Sequence, residues 1–590
     1  MRYAFIIAML SNIVLPAQDL TSLLHYPTHA YSRIELYPTP LGGYMAAVDL
    51  WDSIDVDPGP NAVWLEPQVG LRESAMVAYD AAGAYLWHKQ INSTETVWMG
   101  QFSFTEDGQF YASGAASGTA DVDPGPGVAT VNCNCNGGVN GWYGKFNATG
   151  DLLWHAQIGD GTASTQATVR LLYSPLSHDL FMFGEALGSN PTDYDPGPGL
   201  AQIPPPPVPG QSRTNFIYAR LDSSGVFQWH RPWGANGLRH VTRWDDGLNE
   251  YFYLAGASFG SPDPIDLSDY DPGPGQLVPY RAVHTMQDAF ASKFDANGDL
   301  VWCQFFFGGN GFGPNHNEEA ADVSLDTQGN AYVAGYFMSN YSTTAGGSLL
   351  SLVPYGGSGT DAFLVKLASA DGSLIWEKQF GSPNDDDIYN AICAVDELDR
   401  VYIGSTFMNT AELNSAGASV QVTANGPMWT KDGFVASFDA AGQYLWSGTY
   451  GGPGADGPTH LFPSASELCM VGVFTGTADL DLGPGVNNVV AQQGGDPFFA
   501  CYDLTVLALG GSEAQDTSQQ VMVFPNPASS VVTIRGLEAN TEIEVLDGVG
   551  RLVKVASTSS LDVSDLNNGM YTIRFRDRSA MHNIRFVVDH

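Results

Sequence analysis

The chain has 590 residues, with 24 Lys and Arg against 63 Asp and Glu and a formal charge of −39. A field of that sign repels phosphate backbones and anionic lipid, which excludes nucleic-acid binding and electrostatic docking on a membrane. Charged residues make up only 15% while glycines number 67 and aromatics reach 12%, the balance of many tight turns between buried strands rather than of a disordered chain.

At the N-terminus Arg2 precedes an apolar stretch from Tyr3 to Leu15, and the small residue Ala17 follows. This pattern predicts a signal peptide over 1–17, too short to span a bilayer. No later stretch approaches the length of apolar sequence a spanning helix needs, so no transmembrane segment is expected.

The next segment, Arg33 to Leu50, opens a repeat. A phrase of an aromatic or Leu, a polar residue, a turn ending in Gly and then a Trp recurs, with its Trp at 87, 154, 229, 302, 376 and 446, spaced 67 to 75 residues apart. That period suits one four-stranded sheet with decorated loops. Each unit divides into two hairpin halves. One half starts at Glu73, Asn140, Asn215, Asp288, Asp361, Asp432 and Asp496; the other also occurs seven times, first at Arg33 to Leu50 and most clearly at Ala320 to Phe337. In the clearest copy Phe290, Ser292 and Phe294 share one face and Ala291 and Lys293 the other, Gly298 supplies the backbone angle of the turn, and Trp302 is placed to wedge against a neighbouring sheet. Seven of each half, beginning with the second half, predict a closed ring whose last blade is either built from both chain ends or completed in order.

Within the units an acidic phrase recurs: Asp55 and Asp57, Asp121 and Asp123, Asp193 and Asp195, Asp269 and Asp271, Asp479 and Asp481, each pair followed by a Pro-Gly or Gly-Pro bend. Paired carboxylates beside turn carbonyls are hard-oxygen chemistry suited to calcium. The same residues also cap turns through their own backbone. The units near Tyr336 and Phe407 lack the phrase. Asp385, Asp386 and Asp387 make a separate acidic loop, and Pro204 to Pro207 read as a stiff insertion. Trp233 and Trp244 suit blade packing or sugar stacking.

Six cysteines in so long a chain are not a disulfide framework. Cys133 and Cys135 sit in one Gly/Asn loop, while Cys303, Cys393, Cys469 and Cys501 fall in strand-like text. The last two are buried small residues or a bridge between neighbouring strands. No nucleophile elbow, zinc-protease helix or phosphate loop is present.

The phrases DAFASKFDANGDLVW and DTQGNAYVAGYF resemble the bacterial β-propeller repeat of exported proteins over about residues 31–508, which implies a fold and an extracytoplasmic habitat but no shared catalytic residues. After a polar linker at 509–520, short alternating strands over 521–590 predict a small Ig-like sandwich. Through Pro525, Asn526 and Pro527, then Asp547, Gly550 and Arg551, then Gly569, Met570 and Tyr571, this stretch resembles the type A sorting domain of type IX secretion. The resemblance implies engagement of that machinery and a secreted or outer-membrane surface location. It departs at the end, where Arg585 and Val588–His590 replace a lysine-rich final strand. The sequence thus predicts an all-β protein, a seven-bladed β-propeller followed by a small Ig-like β-sandwich. Its expected role is a non-enzymatic binding or adhesion scaffold for a glycan or protein ligand, with calcium in the acidic loops as an optional addition. A hydrolase or lyase with its site in the channel is the alternative.

Overall fold

The computed structural model describes residues 20–588 apart from 29–32, 134–137, 160–165, 189–191, 194, 196–201, 204–212, 234–236, 260–270, 272–286, 309–317, 338–340, 344–349, 353–354, 356–359, 382–390, 415–418, 427–429, 484, 493, 505–521, 525–529, 536–542, 547–550, 557–559, 568 and 578–579. The expected signal peptide 1–17, the linker 509–520, Pro204 to Pro207 and Asp385 to Asp387 lie outside the described residues. The described residues form strands and turns but no helix, in two compact units, Met1–Leu509 and Gly510–His590.

In the first unit the long described strands fall into seven antiparallel groups of four, called the first to seventh sheets below; pairing of Asn92 and Ser93 with Asp121 and Ala120 joins the first two into one nine-stranded sheet, and Tyr341–Thr343 and Leu350–Leu352 extend the fourth to six strands. The first contains Arg33–Pro38, Tyr44–Leu50, Glu73–Tyr79 and Tyr85–Ser93; the second Thr96–Phe104, Phe110–Asp121, Asn140–Phe146 and Leu152–Ile158. The third contains Gln166–Tyr173, Leu180–Gly188, Arg213–Leu221 and Phe227–Trp233; the fourth Leu238–Asp245, Glu250–Phe259, Gln287–Asp295 and Leu300–Gly308. The fifth contains Glu319–Leu325, Ala331–Phe337, Asp361–Leu367 and Leu374–Phe380; the sixth Ile392–Val395, Val401–Phe407, Asp432–Phe438 and Tyr444–Tyr450. The seventh takes Gly457–Pro463, Glu467–Phe474 and Asp496–Asp503, and its fourth strand is Leu20–His25 from near the N-terminus. Leu24 lies opposite Phe499 and His25 opposite Phe498. This strand precedes residue 31, where the repeat was expected to begin.

The second and third strands are buried on both faces, as Ala331–Phe337 and Asp361–Leu367 show, which is why they read as nearly continuous apolar runs, whereas the fourth strands, such as Leu374–Phe380, are part-exposed. In Gln287–Asp295 the two faces join different cores. Phe290 and Phe294 pack with Phe181, Tyr218 and Phe252, whereas Ala289 and Ala291 pack with Val333 and Phe363. The seventh and first sheets meet in the same way, for Ile34, Val48 and Tyr79 share a core with Cys469, Val471 and Phe499.

The repeated Trp and the repeated Gly fit together across sheets. A Cβ on Gly150 would lie 2.8 Å from the ring of Trp87, on Gly225 2.7 Å from Trp154, on Gly298 3.0 Å from Trp229, on Gly372 2.8 Å from Trp302 and on Gly442 3.1 Å from Trp376. In each case the Trp of one fourth strand covers the final hairpin turn of the next sheet. Leu24, in the strand borrowed by the seventh sheet, meets Gly83 of the first in the same position. The phrase is therefore two halves of one joint, read in consecutive units.

Cys469 and Cys501, directly opposite on neighbouring strands, form a disulfide, and Cys133 is disulfide-bonded as well. Cys303 and Cys393 are free thiols. In the second unit Met522–Phe524, Val531–Arg535 and Ser560–Asp562 make one sheet, and Leu552–Ala556, Ile543–Leu546, Gly569–Asp577 and Ala580–Val588 make another. Val532 and Leu561 of the first share a core with Ile543, Val545, Ile573 and Phe575 of the second. No helix among the described residues is long and apolar enough to cross a membrane.

Candidate functional site on the first strands

The acidic phrases at Asp55, Asp121, Asp193 and Asp479 lie in short ribbons between the second and third strands. Asp121 Oδ1 accepts from the N–H of Asp123 at 3.1 Å and of Ala129 at 2.8 Å, and Asp123 Oδ1 from Gly125 at 2.8 Å. Asp55 and Asp57 repeat this toward Val63 and Gly59, and Asp479 and Asp481 toward Asn487 and Gly483. The glycines are needed because side chains there would strike the carboxylates, as Asp123 Oδ2 at Gly127 and Asp481 Oδ2 at Gly485 illustrate. These pairs hold their own loops. Asp193 sits in the ribbon strand Thr192–Asp193 with its side chain outside the described residues, Asp269 is outside them altogether, and Asp195 and Asp271 are half-buried.

One member escaped the sequence pattern. Glu412 in the sixth sheet accepts through Oε1 from Asn414 N at 2.9 Å and Val420 N at 2.8 Å, the same two offsets used by Asp55. The ribbons also tie sheets together by backbone: Asp479 pairs with Gly451, Glu412 with Gly381, and Asp121 with Asn92, each at the end of the preceding sheet's fourth strand. Asp55 N donates to Pro27 O at 2.9 Å, which puts the same tie between the seventh sheet and the first. Among the described residues the only grouping of three metal-type side chains is Glu467 with Cys469 and Cys501, and the disulfide removes those sulfurs from ligation.

The residues with the most varied chemistry come instead from the first strands. Tyr37 of the first sheet donates to Gly100 O beside the second at 3.1 Å, and Tyr173 N of the third donates to Ser103 Oγ of the second at 2.7 Å. Arg170 reaches Leu238 O of the fourth at 3.3 Å. Arg239 pairs with Glu319 at 2.8 Å and His240 with Asp322, joining fourth to fifth, and Asp322 Oδ2 accepts from Cys393 N of the sixth at 2.9 Å. His460 of the seventh stands 6.2 Å, ring to ring, from Tyr37. The sequence offered no phrase for this set, because each strand supplies one or two members and no spacing recurs.

Burial pushes the Glu185 carboxyl up, against the opposing pull of Arg170, Arg239 and the N–H of Gly237. Burial lowers His460, against the opposing pull of Glu35 and Asp322. His460 lies parallel to Phe462, and its Nδ1 is buried with no hydrogen-bond partner among the described residues. Arg170 feels Glu185, Glu35, Tyr37 and Arg239, and His460 feels Glu35, Asp322 and His240, so the groups act on one another across several sheets. Trp244, by contrast, packs on the turn at Gly329 and stacks with Tyr251. The side chain of Trp233 is outside the described residues.

A second buried acidic set heads the third strands. Glu73 is supplied by the N–H groups of Gln68, Val69 and Gly70 and by Gln90 Nε2 at 2.7 Å. Asp361 Oδ1 and Asp432 Oδ1 have no hydrogen-bond partner among the described residues. Burial pushes Asp361, Asp432 and the adjacent Asp456 up to about 6 from 3.8. A raised carboxyl binds its proton more tightly folded than unfolded, so its contribution is full below the unfolded value and is lost as pH rises through about 6. Asp432→Asn is therefore expected to be more stable than the wild type at pH 7.5 by about 2 kcal/mol, with the gap closing toward pH 4. Urea melts of both proteins at the two pH values check this; a gap independent of pH contradicts it.

Residues 522–589 match the family model of the secretion system C-terminal sorting domain. The chain thus ends in a type IX sorting domain, and the protein is exported to the cell surface or extracellular space. No curated protein matches the chain. Among solved structures, PorZ, an essential surface component of the type IX secretion system of Porphyromonas gingivalis, aligns at 11% identity and TM-score 0.16 over 98% of this chain and 100% of its own. An apocarotenoid oxygenase mutant from Synechocystis aligns at 9% identity and TM-score 0.26 over 83% of this chain and 95% of its own. Scores this low carry no weight for fold or function.

Proposed function

We propose that the first unit is a closed seven-bladed β-propeller, exported by the C-terminal sorting domain, that binds a glycan or protein ligand without transforming it. The pairing of Leu20–His25 with Asp496–Asp503 and the Leu24–Gly83 joint favour closure, because they repeat between last and first sheets the contacts made within the series. Removal of a signal peptide after Ala17 would leave that strand intact near the new N-terminus. The observation that supports the binding role is the set of polar and aromatic side chains that the first strands bring together. Its charges are largely matched in pairs, Arg239 with Glu319 and His240 with Asp322, an arrangement suited to holding a polar ligand on a rigid frame.

A hydrolase or lyase is the second reading, favoured by Glu185, whose raised carboxyl beside Arg170 has the character of a general acid. Calcium belongs to the proposal as a peripheral ligand of the acidic ribbons, through carboxylate oxygens not used by loop N–H groups. Purified protein is expected to retain ligands on a glycan and peptide array, with or without chelator, and to release no product from the same polysaccharides and peptides. Product release that disappears in Glu185→Gln would replace binding with catalysis. A melting temperature unchanged by chelator would remove calcium and leave the turns.

A further inference from the structure

Where the first two sheets meet, Trp51 and Trp98 gather around Arg72. Trp51, just beyond Tyr44–Leu50, is 53% exposed, an unusual state for the largest apolar side chain on a secreted surface. It is not loose. Arg72 lies 4.9 Å from the centre of the Trp51 ring and 5.0 Å from that of Trp98. The guanidinium is fixed in turn by Asp49, with Nε to Oδ1 and Nη2 to Oδ2 both at 2.6 Å, and Trp51 Nε1 donates to Asp49 Oδ2 at 3.2 Å.

The backbone anchors the same place. Leu71 N donates to Glu95 O at 2.7 Å and Val97 N to Arg72 O at 2.9 Å, so the Arg72 segment is stitched to the start of the second sheet. Leu71 and Val69, beside it in sequence, are 79% and 63% exposed. A cation between two indoles and a bidentate carboxylate holds Trp51 in one orientation before any ligand arrives, which lowers the entropy cost of binding.

We infer that Trp51, Arg72 and Trp98 form a carbohydrate-binding platform for a neutral polysaccharide, an inference that rests on the binding role proposed above and names its ligand and place. An indole face offers the apolar C–H face of a pyranose a flat partner. Asp49 and Arg72 Nη1, which takes no part in the Asp49 pair, stand at its edge for hydroxyl groups. Charge selects among glycans: a chain carrying −39 repels uronate or sulfated polymers and leaves uncharged ones.

Affinity electrophoresis of the purified full-length protein in gels containing laminarin, xylan, mannan or, as the charged comparison, alginate tests this. Wild type is expected to be retarded by at least one neutral polymer and not by alginate. Trp51→Ala is expected to weaken that retardation about tenfold with an unchanged melting curve, and Arg72→Lys to weaken it less. Equal retardation of wild type and both variants overturns the platform while leaving a binding scaffold. Retardation by alginate alone, or by none of the four polymers, also overturns it. Hydrolysis of the retarding polymer overturns the non-enzymatic role but, if Trp51→Ala still binds more weakly, leaves the platform standing.

Discussion

Asp496→Ala is expected to destabilise the first unit by about 3–5 kcal/mol, more than any single change to an exposed acid in the chain. Asp496 is fully buried, and its two oxygens collect four donors from both ends of the repeat region. His25 Nε2 lies at 2.7 Å and Gln492 N at 2.9 Å from Oδ2, and Thr28 N and Oγ1 at 3.1 and 3.2 Å from Oδ1. Alanine removes the acceptor and leaves backbone donors without it in a place water does not reach, where each unpaired group costs about 1–3 kcal/mol. The effect should be larger than local, because these bonds hold the strand Leu20–His25 against Asp496–Asp503. Once that strand detaches, the buried strand Asp496–Asp503 becomes the edge of the seventh sheet, and association follows. Urea denaturation followed by tryptophan fluorescence, with light scattering below the midpoint, measures both consequences. Asp496→Asn, which keeps acceptor capacity on one atom, should fall between. A loss under about 0.5 kcal/mol for alanine would mean that the N-terminal strand does not secure the last sheet.

The difference between this strand and the others shows what the amino-acid pattern can disclose. Glu73, Asn140, Asp361, Asp432 and Asp496 were all legible as starts of a half-unit, and each begins a third strand. All five are fully buried at the same point of their sheets, and a repeated physical need leaves a repeated residue type. LTSLLH has no such context. Its partner lies more than 470 residues away, and nothing in six residues of ordinary strand composition points to it. Glu412 was missed for a different reason. Asp-x-Asp-Pro-Gly is one solution to holding a loop by its own N–H groups, whereas the geometry asks only for a carboxylate oxygen reached from two and eight residues on. The first-strand set was illegible because Glu35, Arg170, Arg239, Asp322 and His460 come from different sheets and meet only through the tertiary arrangement. What a single unit must do to fold is written in every copy; what the assembled set can bind is written once, in scattered positions.

The joint between Trp302 and Gly372 carries the second large expectation. Trp302 is 5% exposed, its ring covers the turn at Gly372, and its Nε1 donates to Ser369 O at 3.1 Å. Lys293 reaches the same carbonyl at 2.8 Å, and Tyr253 OH reaches Ser369 Oγ at 3.1 Å, so one turn of the fifth sheet is gripped by three side chains of the fourth. Trp302→Ala should cost about 3–5 kcal/mol through the cavity and the lost hydrogen bond. Trp376→Ala should cost less, because that ring is only half-buried. Gly372 has φ +69 and no room for a Cβ, so Gly372→Ala should destabilise by about 1–3 kcal/mol from strain and collision together. The decisive variant is the double one. With the indole gone, the two closest contacts at residue 372 disappear and the backbone strain and the milder contact with Gln304 Nε2 at 3.0 Å remain, so the two losses should sum to more than the double mutant shows. Urea melts of the four proteins give the coupling directly. Strict additivity would mean that the recurring Trp and Gly answer separate local needs, and that the sheets are joined by something other than the phrase that reveals them.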